Sequence, residues 1–173
     1  MISVVVPTLN AAPTLAASLG PLIPAAVNNL VREVVIADAG STDHTLEIAD
    51  DAGARLVSGD WTAGCAAAKG PWLLLLSPRI RLAAEWEAAA RDHMEHHAAK
   101  AGWFRFALDD HSAAARLREA AAAAFGGPAP GRGLLLTKRL YEEAGGSARG
   151  EAELIRALRP RLRPLAARAF EVK

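Results

Sequence analysis

Short apolar runs alternate with polar and amphipathic segments through the first half of the chain. The runs are rich in β-branched and large aliphatic residues and end at Pro, Asp or Ser, so they predict strands. They cover 2–6, 33–38, 54–58 and 72–76. Helices are expected between them, one over 14–19 capped by Asn10 and broken at Pro21 to Pro24, and one from Asp43 to about Ala52. Such strands alternating with helices predict an α/β fold with a mostly parallel central sheet and helices on both faces.

The second half is richer in Ala and predicts longer helices. Predicted helices cover 83–101, 112–125, a segment from 138, and 151–158, and predicted strands cover 103–108 and a short piece near 169–170. The Gly- and Pro-rich segment 126–133 is the clearest loop. No repeat divides the chain, and 173 residues fit one domain.

Composition and charge exclude several classes of protein. A formal net charge of +1 gives no general attraction to nucleic acid, although residues 132–173 are basic. That basic piece is either a surface for a phosphate-bearing or acidic ligand or a solvated helix. We expect neither a transmembrane segment nor a leader before the first strand. Cys65 is the only cysteine, which predicts a small buried hydrophobe and a cytoplasmic location.

Polar residues follow the first two predicted strands directly. Thr8 and Asn10 come after the first strand, and Asp38, Gly40 and Ser41 come at the end of the second. In an open α/β sheet, ligands bind outside the carboxyl ends of the strands. A carboxylate beside free backbone amides at a helix start suits a nucleotide. The alternative is that these residues form only a turn and caps.

The segment Met1-Ile2-Ser3-Val4-Val5-Val6-Pro7-Thr8-Leu9-Asn10, with the segment from Val34 to Thr45, resembles the opening of family 2 glycosyltransferases. The likeness also extends to a bacterial subgroup associated with radical-SAM and selenium-related genes, and it is strongest in the first third of the chain. The resemblance implies a GT-A fold, which is Rossmann-like, with a nucleotide-binding half at 1–82 and a shortened acceptor-side half at 83–173. It implies a nucleoside-diphosphate sugar donor, an unknown acceptor, and Thr8, Asn10 and Asp38 near the uracil or ribose.

The chain departs from this family where the fourth strand ends. The family carries an acidic motif there that holds a divalent cation, and this chain has Ser77-Pro78-Arg79. Mg²⁺ and Mn²⁺ need oxygen ligands, which Arg does not offer, so we expect the usual metal ligands to be absent. We expect Arg79 and Arg81 to neutralise the donor diphosphate instead, because guanidinium pairs with phosphate oxygens in a bidentate manner.

The acceptor-activating carboxylate is a second departure. The family's acidic pair near the last helix is matched here by Gly150-Glu151, so Glu151 is the candidate general base. The alternative is an ordinary acid in the first turn of a helix. Asp60-Trp61-Thr62 replaces basic and amide residues of the family, which predicts a lost contact to the donor phosphates.

Two clusters could be mistaken for metal sites. His93, His96 and His97 share a helix face, but their spacing fits no common zinc motif, so we expect a solvated face. Asp109-Asp110-His111 is expected to be a loop and helix cap.

Three functions remain open at this point. The first is glycosyl transfer with altered or no metal dependence, and the second is a degenerate glycosyltransferase-like domain that binds a nucleotide or a protein partner without turnover. The third is a structural module with a vestigial site. A homodimer is an expectation for which the sequence indicates no interface.

Overall fold

A computed structural model describes residues 1–107, 127–146 and 150–172. The predicted helix 112–125 and the segment Asp109-Asp110-His111 lie outside the described residues. No described helix has the length and apolar character that crossing a membrane requires.

The strands form one eight-stranded sheet in the order β3-β2-β1-β4-β7-β6-β8-β5. They are β1 Ile2–Thr8, β2 Val31–Asp38, β3 Arg55–Ser58, β4 Trp72–Leu75, β5 Ile80–Leu82, β6 Ala101–Ala107, β7 Leu134–Thr137 and β8 Leu162–Glu171. Only β5 and β7, among these strands, run against the common direction. The predicted mostly parallel sheet is confirmed.

Helices cover both faces of the sheet. They are α1 Ala12–Leu19, α2 Leu22–Val27, α3 Thr45–Asp51, α4 Trp61–Ala67, α5 Trp86–His96, α6 Lys138–Glu143 and α7 Glu151–Leu158, with a 3₁₀ turn at Arg159–Arg161. One core cluster joins the first three helices and α5 to one face, and a second joins α4, α6 and α7 to the other.

The central strand β1 shows why the sheet is buried on both sides. Ile2, Val4 and Val6 point into the first cluster, while Val5 points into the second. All four side chains are fully buried, and each such aliphatic side chain contributes roughly 1.5–3 kcal/mol on burial. On the second side α4 lies close to the strand at Gly64, where a Cβ atom would come within 2.6 Å of Val5 Cγ1.

Several elements differ from the sequence prediction. The stretch from Pro21 to Pro24 ends α1 as predicted, but it also begins a second helix. Helix α2 has Pro24 in its first turn, where proline is tolerated. Helix α4 was missed although Asp60 caps it, its carboxylate accepting the amides of Thr62 and Ala63. Strand β8 is ten residues long where only a short end strand was predicted.

The strand directions bring distant loops to one edge of the sheet. The carboxyl ends of β1, β2, β4, β6 and β8 all lie there, because these strands run in the same direction. The segment that leads into the antiparallel β7 enters from this edge as well. The residues that follow Thr8, Asp38 and Leu75 therefore share an edge with 127–133.

Candidate functional site

The tips of β1 and β2 lie side by side. Thr8 and Asp38 are register partners, and the Thr8 hydroxyl donates to Asp38 Oδ1 over 2.8 Å. The Ser41 hydroxyl donates to the same oxygen over 2.5 Å. The other oxygen, Oδ2, accepts the backbone amides of Gly40 at 2.9 Å and Ser41 at 2.8 Å. Both carboxylate oxygens of Asp38 are therefore paired within the protein.

These contacts determine the charge state of Asp38. Burial alone would raise the pKa of its carboxyl group, but the hydrogen bonds from Ser41, Thr8 and Gly40 outweigh burial and hold the pKa below its usual range. Asp38 is therefore ionised at neutral pH and organises the turn that follows β2.

Asn10 does not cap α1, which corrects the sequence prediction. The residue before the helix is Ala11, and it makes no side-chain cap. Asn10 instead adopts a left-handed conformation with φ 52°, which Asn tolerates better than most residues. The backbone amide of Asn10 donates to Ser41 Oγ over 2.9 Å, and the side-chain Oδ1 of Asn10 accepts the Thr42 backbone amide over 2.9 Å. Asn10 thus joins the loop after β1 to the loop after β2.

A second carboxylate secures the same junction. Asp43 accepts the Thr45 hydroxyl and amide, and its other oxygen accepts the Ala12 amide at the start of α1 over 3.1 Å. The Thr45 hydroxyl in turn accepts the Ala11 amide over 2.8 Å. The five predicted nucleoside-binding residues therefore form one hydrogen-bonded cluster. The cluster comprises Thr8, Asn10, Asp38, Gly40 and Ser41.

The end of β4 is joined to the start of α7 by Gly131. The Ser77 amide donates to the Gly131 carbonyl over 2.9 Å, and the Gly131 amide donates to Glu151 Oε1 over 2.9 Å. Gly131 has φ +75°, and a Cβ atom there would lie 3.0 Å from Ser77 Cβ. Glycine is needed at this position because it permits both the left-handed backbone and the close approach.

Glu151 is largely removed from water at this junction. Burial raises the pKa of its carboxyl group, and the Gly131 amide opposes the rise only in part. Its Oε2 has no hydrogen-bond partner among the residues that the structure describes. The carboxylate is therefore positioned by one oxygen and can accept a proton at the other.

A cavity of about 180 Å³ adjoins this junction. Arg79 and Arg132 line it, together with Ser77, Phe106, Gly131 and Glu171. The Arg132 guanidinium lies 4.2 Å from the centroid of the Phe106 ring, a cation–π contact that fixes its position. Within the described ranges neither arginine pairs with a carboxylate, so both guanidinium groups can receive an anion.

Arg81 is placed differently from Arg79. It lies in β5, opposite Phe170 of β8, with its guanidinium 5.2 Å from the Phe170 ring centroid. It does not line the cavity, whereas Arg132, which the sequence did not single out, does. The sequence predicts the segment 126–133 only as a loop, and its Gly-Arg-Gly centre is the one signal in it that points to Arg132.

The residues at the end of β4 do not fit a divalent cation. Ser77 Oγ accepts the Arg79 amide over 3.2 Å, and the nearest charged group supplied by the turn is the Arg79 guanidinium. In the part of the chain that the structure describes, no three His, Cys, Asp or Glu side chains cluster as metal ligands.

Two other predictions have definite outcomes. The predicted solvated face on α5 is wrong for His93, which is 1% exposed and packs with its ring against Trp72. The predicted burial of Cys65 is confirmed, since it is fully buried and burial raises the pKa of its thiol to about 12. Cys65 is therefore an unreactive thiol in the core.

Residues 3–77 match the family model Glycosyl transferase family 2. A TPR repeat-containing protein of Synechococcus elongatus is 34% identical over 87 residues, which make up 46% of this chain and 22% of that protein. The matched region contains the whole cluster around Asp38 and ends at Ser77.

Solved structures share the fold over nearly the whole chain. S. aureus TarS 1–349 in complex with UDP-GlcNAc superposes with a TM-score of 0.73 at 18% identity, covering 99% of this chain and 58% of that one. Glucosyl-3-phosphoglycerate synthase from Mycobacterium tuberculosis, in complex with Mn²⁺, UDP and glucosyl-3-phosphoglycerate, superposes with a TM-score of 0.67 at 21% identity, covering 97% and 72%. The GT-A fold is thereby confirmed. The chain spans less than two thirds of TarS 1–349 and about a fifth of the Synechococcus protein.

Proposed function

We propose that this chain binds a nucleoside-diphosphate sugar at the carboxyl edge of its sheet and transfers the sugar to an acceptor without a divalent cation. The proposal depends above all on one observation. The polar cluster around Asp38, inside the matched residues 3–77, lies one strand away from the cationic cavity at the end of β4. Relatives of this fold in complex with UDP and UDP-GlcNAc support the choice of donor.

In the proposed complex the nucleoside lies over the tips of β1 and β2. Thr8 and Asp38 act there by holding the loops, because their polar atoms are already paired. The exposed parts of the cluster are Asn10 and Gly40, and these face the base and ribose. The binding surface is formed before the ligand arrives, which lowers the entropy lost on binding.

The diphosphate lies at the cavity beyond β4. Arg79 binds its oxygens, and Arg132, which lines the same cavity, adds a second guanidinium. As the bond between the sugar and the diphosphate breaks, negative charge grows on the leaving oxygen. Fixed cations at that point stabilise the transition state more than the ground state. Arg81 is proposed to add to the positive potential from β5.

Glu151 is the proposed general base. Its free Oε2 takes the proton of the acceptor hydroxyl while the hydroxyl oxygen forms the new bond to the anomeric carbon and the diphosphate leaves with the bonding electrons. A pKa raised by burial makes this carboxylate a stronger base than an exposed one. The Gly131 amide fixes its orientation.

A second candidate is binding without turnover, either of a nucleotide or of a protein partner. It is favoured by Ser77-Pro78-Arg79 in place of the family's acidic motif. The same pocket then serves as a ligand site, and Glu151 is a buried acid that secures the Gly131 loop.

Calorimetric titration with UDP, UDP-sugars and other nucleoside diphosphates, in EDTA and then in Mn²⁺, separates these candidates. We expect binding in EDTA that Mn²⁺ leaves unchanged, together with slow release of UDP from a UDP-sugar when acceptors are supplied. Binding with no release of UDP would favour the second candidate. Binding that requires Mn²⁺ would contradict our interpretation of Arg79, and absence of binding would leave only a structural module.

A further inference from the structure

A second cavity lies at a different place in the fold, between α5 and the strands β6 and β8. Its volume is about 350 Å³, within the range of small-molecule sites. Its polar walls are Asp92 and His93 from α5, Arg105 from β6 and Arg163 from β8. Arg163 is paired with Gly102 near the start of β6. Because β6 and β8 run parallel to β1, this start lies at the edge of the sheet opposite the candidate nucleotide site.

The cavity coincides with an irregularity in the sheet. Trp103 of β6 is opposite Pro164, but Arg105, two residues later, is opposite Arg168. Strand β8 therefore has two more residues than β6 over this interval and bulges. Leu165 and Ala166, which belong to the bulge, line the cavity. Bulges of this kind are enriched beside functional sites because they redirect side chains and end the regular pairing.

Within the described ranges the positive groups of the cavity have no ion-pair partner. Arg105 and Arg163 are exposed, and neither forms an ion pair or hydrogen bond with any described residue. The exposed carboxylate of Asp92 has its Oδ1 3.3 Å from His96 Nδ1, which also lies 3.1 Å from the Asp92 carbonyl oxygen. Two guanidinium groups on neighbouring strands, neither of them paired with a described residue, form a site suited to an anion, because each can donate two parallel hydrogen bonds to an oxyanion.

An independent observation comes from His93 in the cavity wall. Its Nε2 donates to the Lys100 carbonyl oxygen over 3.1 Å, so Nδ1 is the unprotonated nitrogen. Nδ1 is buried and has no hydrogen-bond partner among the described residues. Buried polar atoms in native proteins are almost always paired, and an exception commonly marks a missing water, ion or ligand.

We propose that the cavity between α5, β6 and β8 binds a small phosphate-bearing anion through Arg105 and Arg163, with His93 in its wall, independently of the donor site. The anion is held by the two guanidinium groups at the bulge.

The test is calorimetric titration of the full chain with inorganic phosphate in EDTA and low salt. Phosphate could also bind at Arg79, so four single variants are compared: Arg163→Gln, Arg105→Gln, Arg79→Gln and Arg156→Gln. Arg156 is exposed on α7 and does not line the cavity, so its variant controls for lost charge. We expect Arg163→Gln and Arg105→Gln each to weaken phosphate binding at the cavity between α5, β6 and β8 about tenfold or more, as loss of a charge-assisted hydrogen bond predicts. Arg79→Gln and Arg156→Gln should leave the affinity of this cavity for phosphate unchanged.

A second readout locates the ligand. The ¹³C-bound Hε1 signal of His93, assigned with His93→Gln, should shift with phosphate and saturate at the calorimetric affinity of the site that Arg163→Gln weakens. The inference is overturned if the native chain binds no phosphate, if binding is lost only in Arg79→Gln, if Arg156→Gln weakens it as much as Arg163→Gln, or if the His93 signal stays in place. All four substituted arginine residues are exposed, and circular dichroism verifies the fold of each variant.

Discussion

The two ends of the candidate site differ in how completely their polar groups are paired. At the tips of β1 and β2, Asp38 receives hydrogen bonds at both carboxylate oxygens. At the end of β4, Glu151 uses one oxygen to hold Gly131, and the guanidinium of Arg79 faces a cavity. The first end is a finished internal structure, whereas the second has unused hydrogen-bonding capacity and charge.

This difference separates residues that shape the site from residues that can act on a ligand. A carboxylate whose pKa is lowered by internal hydrogen bonds contributes to stability and has little capacity left for a ligand. At the second end, burial disfavours the ionised form of the Glu151 carboxyl group and so raises its pKa. A carboxyl group with a raised pKa is suited to proton transfer. Substituting Asp38 should therefore lower the stability of the protein, whereas substituting Glu151 should raise its stability and lower the rate of sugar transfer.

The largest effect is expected for Glu151→Gln. The amide retains an oxygen for the Gly131 amide but cannot take a proton, so the rate of sugar transfer should fall about 10²–10⁴-fold. Glu153→Gln, an exposed first-turn acid of the same helix, is the matched control and should leave the rate unchanged. Equal rates for native protein and Glu151→Gln would remove Glu151 from catalysis.

The same variant should be more stable at neutral pH. The folded pKa of Glu151 is raised above its unfolded value, so ionisation above the unfolded pKa disfavours the folded state, and stability falls as pH rises through that window. Glu151→Gln removes this loss, and thermal unfolding should show a gain at pH 7 that disappears at acid pH below the unfolded value. A loss of stability at pH 7 would contradict the assigned direction.

Asp38→Asn should lower the free energy of unfolding by about 3 kcal/mol, the largest stability loss predicted here. In the variant, the side-chain NH₂ group of Asn would replace one of the two carboxylate oxygens. This group cannot accept the hydrogen bonds that the replaced oxygen now accepts, such as those from the Gly40 and Ser41 amides. Because the pKa of Asp38 is lowered, the stability it provides is present above the unfolded pKa and is lost as pH falls through the folded one. Urea unfolding at neutral and acid pH measures both effects.

Asp60→Asn is the control for that prediction. Asp60 also accepts three hydrogen bonds, but all of them reach the same oxygen, Oδ1, and Asn can retain that oxygen. Its loss should stay below about 1 kcal/mol. Similar losses for both variants would show that the charge, and not the number of paired oxygens, determines the effect.

Arg79→Gln and Arg132→Gln should each weaken UDP binding about tenfold while leaving uridine binding unchanged, because only the diphosphate reaches their cavity. Calorimetry with the two ligands separates the contributions. If uridine and UDP lost affinity in parallel, the arginines would act on the fold or the nucleoside and not on the phosphates.

The smallest effect is expected for Thr8→Val, about 1 kcal/mol of stability. The variant removes one donor to Asp38 Oδ1, and the Ser41 hydroxyl still donates to that oxygen. Thermal unfolding measures the change, and a loss as large as that of Asp38→Asn would mean that Thr8 is needed for the whole junction.

The same contrast explains what could be predicted from the sequence. The apolar runs that became β1, β2 and β4 define their own strands, and Asp38 and Gly40 lie at a strand end where they can be recognised. Asn10 could not be assigned from its neighbours, because its left-handed backbone and its hydrogen bond to Thr42 depend on a loop 32 residues away. The Gly-Arg-Gly segment marks Arg132 in the sequence, but its place beside Arg79 and the link through Gly131 depend on the antiparallel entry of β7, which the sequence does not show.

The burial of His93 could have been foreseen. Trp86, Ala89, Ala90 and His93 recur at i, i+3, i+4 and i+7, and all four are buried. The charged residues around them concealed a narrow apolar stripe. Spacing along the helix was a better guide to burial here than composition.

The most direct test of the account is a map of backbone amide shifts as ¹⁵N-labelled protein is titrated with UDP in EDTA. We expect shifts at Asn10, Gly40 and Ser41, at the turn around Arg79 and at Gly131 and Arg132, while α2 and the cavity at Arg163 stay unchanged. Shifts confined to other parts of the chain, or no shifts at all until Mn²⁺ is added, would contradict a metal-independent nucleotide site at the carboxyl edge of the sheet.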